Sequence, residues 1–160
     1  MLRYIGAICI FIFTFYFVFS YEKYQKRKNL QGKVFLDFLK NVENEMRGLG
    51  RPMAICASEF VCLDKGVEPF FSALSEGVSA AEAYRKVRAS LSLPVGVDAL
   101  LCETFAAFSG GRDAVRRCAV DAREQCERLM DTARAETDSR LRLFRTLTTA
   151  SAMGLVILLL

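Results

Sequence analysis

The chain has no histidine, and this absence removes the commonest means of activating a nucleophile. A phosphate-binding loop is also missing, because no Gly-Lys-Ser or Gly-Lys-Thr sequence occurs. Carboxylates such as Glu43, Asp98 and Glu103 lie at amphipathic positions, where a solvated helix face explains them without catalysis. We therefore predict a non-catalytic protein that has no cofactor and no small-molecule substrate.

Paired cysteine motifs are lacking as well. None of the six cysteines forms a C-x-x-C pair, and there is no histidine to complete a zinc site. Cys9 lies within an apolar run, and five others lie among apolar residues: Cys56, Cys62, Cys102, Cys118 and Cys126. A free cysteine commonly acts as a small buried apolar residue, so we predict free thiols and no metal site.

No stretch alternates apolar and polar residues for long enough to form a strand. Apolar residues instead recur every three or four positions, which predicts helices. The segments with this pattern are 30–49, 52–63, 69–74, 80–91, 94–108 and 114–144. The last segment has a stripe of mostly small residues, which favours close packing against other helices. The sequence predicts an all-α fold in the form of a helical bundle.

Local signals mark where these helices begin and end. Gly48 and Gly50 predict the end of the first helix, and Pro52 suits the first position of the next. Ser79 and Glu82 have the spacing of a capping box, in which each side chain accepts a hydrogen bond from the other residue's backbone N–H.

Both ends of the chain carry long uncharged runs, at residues 4–21 and 146–160. The first run has about the length that a helix needs to cross a bilayer, whereas the second is short unless Leu143 and Phe144 also enter around Arg145. A cleaved secretory signal is the alternative for the first run, but no small-x-small site follows it. We predict transmembrane helices at 1–21 and 146–160, with a helical domain at 22–145.

The charges next to the first run predict its orientation. Only Arg3 precedes the run, whereas a basic cluster follows it: Lys23, Lys26, Arg27, Lys28 and Lys33. This asymmetry predicts a cytoplasmic central domain, and the cluster suits anionic lipid headgroups. The net charge of +4 is small and the remaining basic residues alternate with acidic ones, which argues against a nucleic-acid surface.

The segment FAAFSGGRD, residues 105–113, contains two adjacent glycines before an arginine and an aspartate. We predict a corner between two helices, in which Gly110 is left-handed, Gly111 is a hinge and Asp113 caps the following helix. Arg112 has no evident structural role at this level. It is a candidate contact for a carboxylate on a cytoplasmic partner.

Several of these features together resemble the stage III sporulation protein AB family of endospore-forming bacteria. They are the two terminal runs, Gly50-Arg51-Pro52-Met53, Phe70-Phe71, Ser79-Ala80-Ala81-Glu82-Ala83-Tyr84 and the corner at 105–113. The central region is also similar to one F domain of the type II secretion and type IV pilus platform proteins. The chain departs from the family where a Gly-Glu pair is usual, since Ala106 and Ala107 stand there. Glu103 is the candidate substitute for that glutamate in a partner contact.

The resemblance implies a non-catalytic platform subunit of the channel that links the mother cell to the forespore. It further implies a location in the mother-cell membrane around the forespore and contact with other membrane subunits. The expected cytoplasmic partner is an ATPase similar to stage III sporulation protein AA. The alternative is a membrane-tethered regulatory adaptor whose helical domain recruits a cytoplasmic protein, and a carboxylate-using membrane enzyme is a third hypothesis.

Overall fold

The computed structural model describes residues 2–48 and 50–159, except for the side chains of residues 2–5, 7, 10, 11, 155, 156, 158 and 159. This part of the chain is helical throughout and contains no strand, which confirms the all-α prediction. The α-helices are α1 (Leu2–Arg47), α2 (Met53–Glu59), α3 (Glu68–Ser75), α4 (Ala80–Val87), α5 (Val97–Ala107) and α6 (Arg112–Leu159). A short 3₁₀ helix (Arg88–Ser90) follows α4.

The chain divides into two compact units. The terminal unit comprises Met1–Arg27 and Arg134–Leu160, and the central unit comprises Lys28–Ala133. Helices α1 and α6 contribute residues to both units, whereas α2 to α5 belong to the central unit alone. The central unit begins and ends inside the segment 22–145 that the sequence predicts as the helical domain.

Within the residues that the structure describes, no helix contains a segment long and apolar enough to cross a membrane. The spans predicted at 1–21 and 146–160 fall partly on residues whose side chains lie outside the described ones. Both spans therefore stay predictions.

Helix α1 ends where the two glycines predict. Gly48 N–H donates to the carbonyl of Asn44 at 3.1 Å, and Gly50 N–H donates to the carbonyl of Glu45 at 2.8 Å. Gly50 has a φ of +63°, a conformation that glycine adopts without a steric penalty. The chain then leaves the helix, and Pro52 immediately precedes α2.

Helix α2 ends at Glu59, four positions before the predicted end at 63. Phe60 has an extended backbone, and its ring lies 5.5 Å from Phe38 and 4.8 Å from Phe71, measured between centroids. An apolar contact with other elements therefore replaces another turn of helix. The apolar period alone does not predict this exit.

The core of the central unit is built around aromatic rings from α1, α3, α4 and α5. Phe35 and Phe70 lie 5.3 Å apart, and Phe70 and Phe105 lie 5.0 Å apart. Several pairs meet edge to face, a geometry favoured by the charge distribution of the rings. Ser79 caps α4 by accepting from Glu82 N–H at 3.3 Å, which confirms one half of the predicted capping box. The reciprocal bond from Ser79 N–H to the Glu82 carboxylate is not formed.

Helix α6 presents small residues to the core, in agreement with the stripe in its sequence. The buried side chains on α6 within the central unit are Val115, Ala119, Ala122, Cys126 and Met130. Met130 lies so close to Gly32 on α1 that a Cβ atom at Gly32 would collide with its sulfur. The side chain of Met130 therefore fills the space that a side chain at position 32 would need.

Glu43 does not lie on a solvated face, so that interpretation of the sequence is wrong. Its side chain is 8% exposed, and its carboxylate lies 2.6 Å from Arg47 Nη2 and 2.8 Å from Arg123 Nε. The Arg123 Nε–H is not aligned for a hydrogen bond, so this contact is an ion pair only. Arg123 comes from α6, and its charge makes the burial of the carboxylate tolerable.

A buried amide holds two loops against α1. Gln31 is 1% exposed, and its Nε2 donates to Asp64 Oδ1 at 3.1 Å while its Oε1 accepts from Ser92 N–H at 2.8 Å. Asp64 Oδ1 also accepts from Gly66 N–H at 2.7 Å. These bonds satisfy polar groups that are costly to bury alone.

Candidate protein-docking site

The corner between α5 and α6 lies at residues 108–111, and its geometry differs from the prediction. Neither Gly110 nor Gly111 has a positive φ, so the left-handed assignment of Gly110 is wrong. A Cβ atom at Gly110 would lie 3.0 Å from the Cβ of Ala114, so close packing explains the glycine. The carbonyl of Gly111 accepts from Ala114 N–H at 2.9 Å and from Val115 N–H at 3.0 Å, so this residue occupies the position just before the first residue of α6.

Asp113 is therefore not the cap of α6. It is the second residue of the helix and lies in its first turn. A carboxylate at this position stabilises the helix through the favourable interaction with the positive end of the helix dipole. This contribution to stability is smaller than the contribution that a capping hydrogen bond would make.

Arg112 has a structural role that the sequence analysis missed. Its Nε and Nη2 donate to the carbonyl of Met46 at 3.2 and 3.0 Å, and Nη2 also donates to the carbonyl of Gly48 at 2.8 Å. These carbonyls lie at the end of α1, where the helix itself supplies no donors. The guanidinium also covers Gly50, since a Cβ atom there would come within 2.6 Å of it. Arg112 is the C-terminal cap of α1, and its contact with a partner stays a prediction.

Two hollows adjoin on the surface formed by α4 and α5. One has a volume of about 390 Å³ and the other about 330 Å³, and they share Ser79, Ala81 and Ala106 as lining residues. The larger hollow continues to Arg85 and Cys102, and the smaller one is floored by buried apolar side chains: Leu74 and Phe105. We call the two hollows together the α4/α5 groove. Its centre is open because Ala81 and Ala106 have small side chains.

A hydrogen-bonded set of side chains fixes the polar edge of the groove. Asp98 Oδ1 accepts from the Tyr84 hydroxyl at 2.8 Å, and Asp98 Oδ2 accepts from Arg88 Nη2 at 2.6 Å. The bond from Arg88 lowers the pKa of Asp98, while burial and then the bond to Asp98 raise the pKa of Tyr84.

Arg85 also lines the groove and forms no ion pair with any residue that the structure describes. Glu82 lines the same hollow, so the groove offers an apolar floor beside two charges of opposite sign, Glu82 and Arg85.

The lowered pKa of Asp98 predicts how its contribution to stability depends on pH. Because its folded-state pKa lies below the unfolded value, the carboxylate stabilises the fold above the unfolded pKa and loses this effect as the pH falls through the folded pKa. We expect Asp98→Asn to lower stability at pH 7 and to approach the wild type on acidification below about pH 4. Urea denaturation at a series of pH values measures the difference, and a difference that does not change with pH would contradict this account.

The other predicted contact, Glu103, lies on the exposed side of α5 and lines neither hollow. It forms no ion pair within the described part of the chain. Its role in binding stays a prediction.

The cysteines differ in burial. Cys56 and Cys126 are buried as expected, whereas Cys102 is exposed at the groove. Burial raises the pKa of Cys126 to about 11, which keeps this thiol neutral at physiological pH. No group of three potential metal ligands occurs among the described side chains.

Neither the groove nor the Arg88–Asp98 pair is predictable from the sequence pattern. Ala81 and Ala106 carry no chemical signal individually and become informative only when α4 and α5 are placed side by side. Arg88 and Asp98 are separated by ten positions that include the 3₁₀ helix and a loop. No helical spacing predicts their contact.

No protein-family model matches the sequence, and no curated protein or solved structure matches it either.

Proposed function

We propose that this chain is a non-catalytic membrane subunit of a secretion-like channel in endospore formation. Residues 1–21 and 146–160 anchor it in the mother-cell membrane around the forespore. The central unit lies in the cytoplasm, docks an ATPase and couples it to other membrane subunits. The observation that carries the proposal is the difference between the side chains that the two units expose.

The terminal unit exposes large apolar side chains. Phe15 is 76% exposed, Phe13 71% and Ile157 72%. Others in this unit are Ile8, Ile12, Tyr16, Phe17, Phe19, Leu143, Leu147 and Met153. An exposed apolar surface of this kind indicates an interaction with lipid or another protein. The uncharged sequence of both terminal runs favours lipid.

In the central unit, by contrast, most aromatic side chains are buried, and its most exposed large apolar residues among those described are the loop residues Val61, Leu63 and Val95. The α4/α5 groove lies on the surface of this unit. An apolar groove between two helices suits an apolar helix face of a partner protein. The groove contains Ala106, one of the two places where the chain departs from the Gly-Glu pair of the family that it resembles. These features support docking at the groove.

A purification of the full chain from sporulating cells tests the proposal. We expect the wild-type protein to recover an ATP-hydrolysing protein together with other membrane subunits. Ala106→Arg should abolish this recovery, because a long charged side chain would fill the centre of the groove. Ala107→Arg is the matched control, since Ala107 is also exposed on α5 but lines neither hollow.

Three results would count against parts of the proposal. Equal recovery with Ala106→Arg and Ala107→Arg would show that the groove is not the docking site. The absence of an ATPase from the wild-type sample would contradict the proposed coupling of an ATPase to the membrane subunits. Recovery of one cytoplasmic protein that does not hydrolyse ATP, without membrane subunits, would favour the regulatory adaptor.

A further inference from the structure

We infer that Glu22 and Arg145 enter the lipid interface together as a neutral pair, and that Glu22 thereby allows the end of α6 to insert. This inference rests on the membrane anchoring in the proposed function. It assigns a lipid-facing role to an ion pair within the terminal unit.

The two residues are joined by a short contact. Arg145 Nε donates to Glu22 Oε1 at 2.6 Å, and Arg145 Nη2 lies 2.6 Å from the same oxygen. The Glu22 side chain is 15% exposed, so most of its surface is withdrawn from solvent. Beside the pair, the ring of Phe144 lies 4.9 Å from Tyr21 and 5.7 Å from Phe17. The pair therefore belongs to a packed contact between α1 and α6.

The position of the pair in the sequence matches a membrane border. Glu22 directly follows the uncharged run 4–21, and Arg145 directly precedes the uncharged run 146–160. Each run is thus bounded by one member of the same ion pair. The two helices bring together the charged residues at the inner ends of both apolar segments, whereas Arg3 borders the outer end of the first.

The hollow beside Arg145 is mostly apolar, and the Arg145 side chain is 59% exposed. This hollow of about 200 Å³ is lined by Phe15, Val18 and Ala152 and by the hydroxyl-bearing Thr14 and Thr149. On the following turn, the Thr149 hydroxyl donates to the carbonyl of Arg145 at 2.6 Å, so its hydrogen-bond donor is satisfied within the helix. Leu147, two positions beyond Arg145, is 66% exposed and available to acyl chains.

Exposed basic residues lie on the other side of the pair in the sequence. Lys23, Lys26 and Arg142 are exposed and form no ion pair with any described residue. They suit the anionic headgroup layer, where a positive charge is attracted and stays hydrated. Arg145 differs from these three basic residues, because the uncharged run 146–160 begins directly after it. An arginine without a counter-ion is costly in that environment, and a paired one costs less.

The absence of tryptophan in this chain permits a direct test. Leu147→Trp places a single fluorophore next to the pair in the full chain. The protein is reconstituted into vesicles of phosphatidylcholine and phosphatidylglycerol with brominated acyl chains, which quench tryptophan on contact. We expect strong quenching of the tryptophan fluorescence in this probe protein. When Glu22→Gln is added, the quenching should fall by at least about twofold, because Arg145 is then drawn toward water.

Two further variants separate charge from packing. Glu136→Gln removes a carboxylate from the exposed Glu136–Arg140 pair on the same helix, 3.4 Å apart, and should leave quenching unchanged. Glu22→Gln combined with Arg145→Gln removes both charges and should restore quenching. If this double variant is as poorly quenched as Glu22→Gln alone, the pair acts only in helix packing and the inference is wrong.

The remaining outcomes are also decisive. If the probe protein is quenched but Glu22→Gln behaves like Glu136→Gln, the inference fails while membrane anchoring stands. If the probe protein itself is not quenched in any vesicle, the membrane anchoring in the proposed function fails and the inference falls with it.

Discussion

We expect Phe105→Ala to lower the free energy of unfolding by about 3 to 5 kcal/mol. Phe105 is 1% exposed, and its ring lies 5.0 Å from Phe70, 5.3 Å from Tyr84 and 5.5 Å from Phe108. Removing the ring deletes buried apolar surface and leaves a cavity, and the neighbouring rings are too rigid to fill it. Urea denaturation of the full chain in detergent, followed by circular dichroism, measures the change.

Leu63→Ala is a suitable control for this experiment. Leu63 is also large and apolar but is 71% exposed in the loop between α2 and α3. Its truncation should change the free energy of unfolding by no more than about 0.5 kcal/mol. Similar losses in both variants would mean that Phe105 is not at the centre of the core.

The second large effect is expected for Arg112→Glu, which should lower the free energy of unfolding by about 1 to 3 kcal/mol. The change removes the donors to the carbonyls of Met46 and Gly48 and places a carboxylate near them. The sequence alone gives Arg112 no structural role and therefore implies a nearly unchanged melting temperature for this variant. Thermal and urea denaturation of the full chain distinguish the two expectations.

Arg116→Glu makes the same change of charge on the same helix. Arg116 is exposed and has no ion pair among the residues that the structure describes. We expect its substitution to alter stability by less than about 0.5 kcal/mol. Equal effects at both positions would indicate that net charge, and not the cap on α1, explains the loss. Arg112→Lys should give an intermediate result, since one ammonium cannot reproduce the planar donor pair.

The features that the sequence predicts correctly are those determined by neighbouring residues. The helical period identifies α3 and α5, the start of α4, and the parts of α1 and α6 that lie within 30–49 and 114–144. The serine at position 79 caps α4 as its spacing indicates. The end of α1 follows from Gly48 and Gly50 because a glycine at the end of a helix acts through its own backbone. All these signals extend over four or five positions at most.

The features that the sequence does not predict depend on distant residues. Arg112 acts on carbonyls that precede it by 66 and 64 positions, and Glu43 is buried because Arg123 lies opposite it. Phe60 leaves α2 because Phe38 and Phe71 provide an apolar site for its ring. The groove is of the same kind, since its centre consists of two alanines from different helices. A pattern of residue types cannot specify which partners the tertiary structure supplies.

The cap that Arg112 places on α1 has a consequence for the order of folding. Met46 and Arg112 are 66 positions apart, and the chain between them contains α2, α3, α4 and α5. Closing so long a loop costs conformational entropy that only the packing of the intervening helices can offset. We therefore expect the last turn of α1 to gain its final hydrogen bonds late in folding, after the segment between the two residues has packed onto the core. We expect a long insertion at an exposed loop position between α1 and α6 to delay this step while the hydrogen bonds of the cap itself persist in the folded protein.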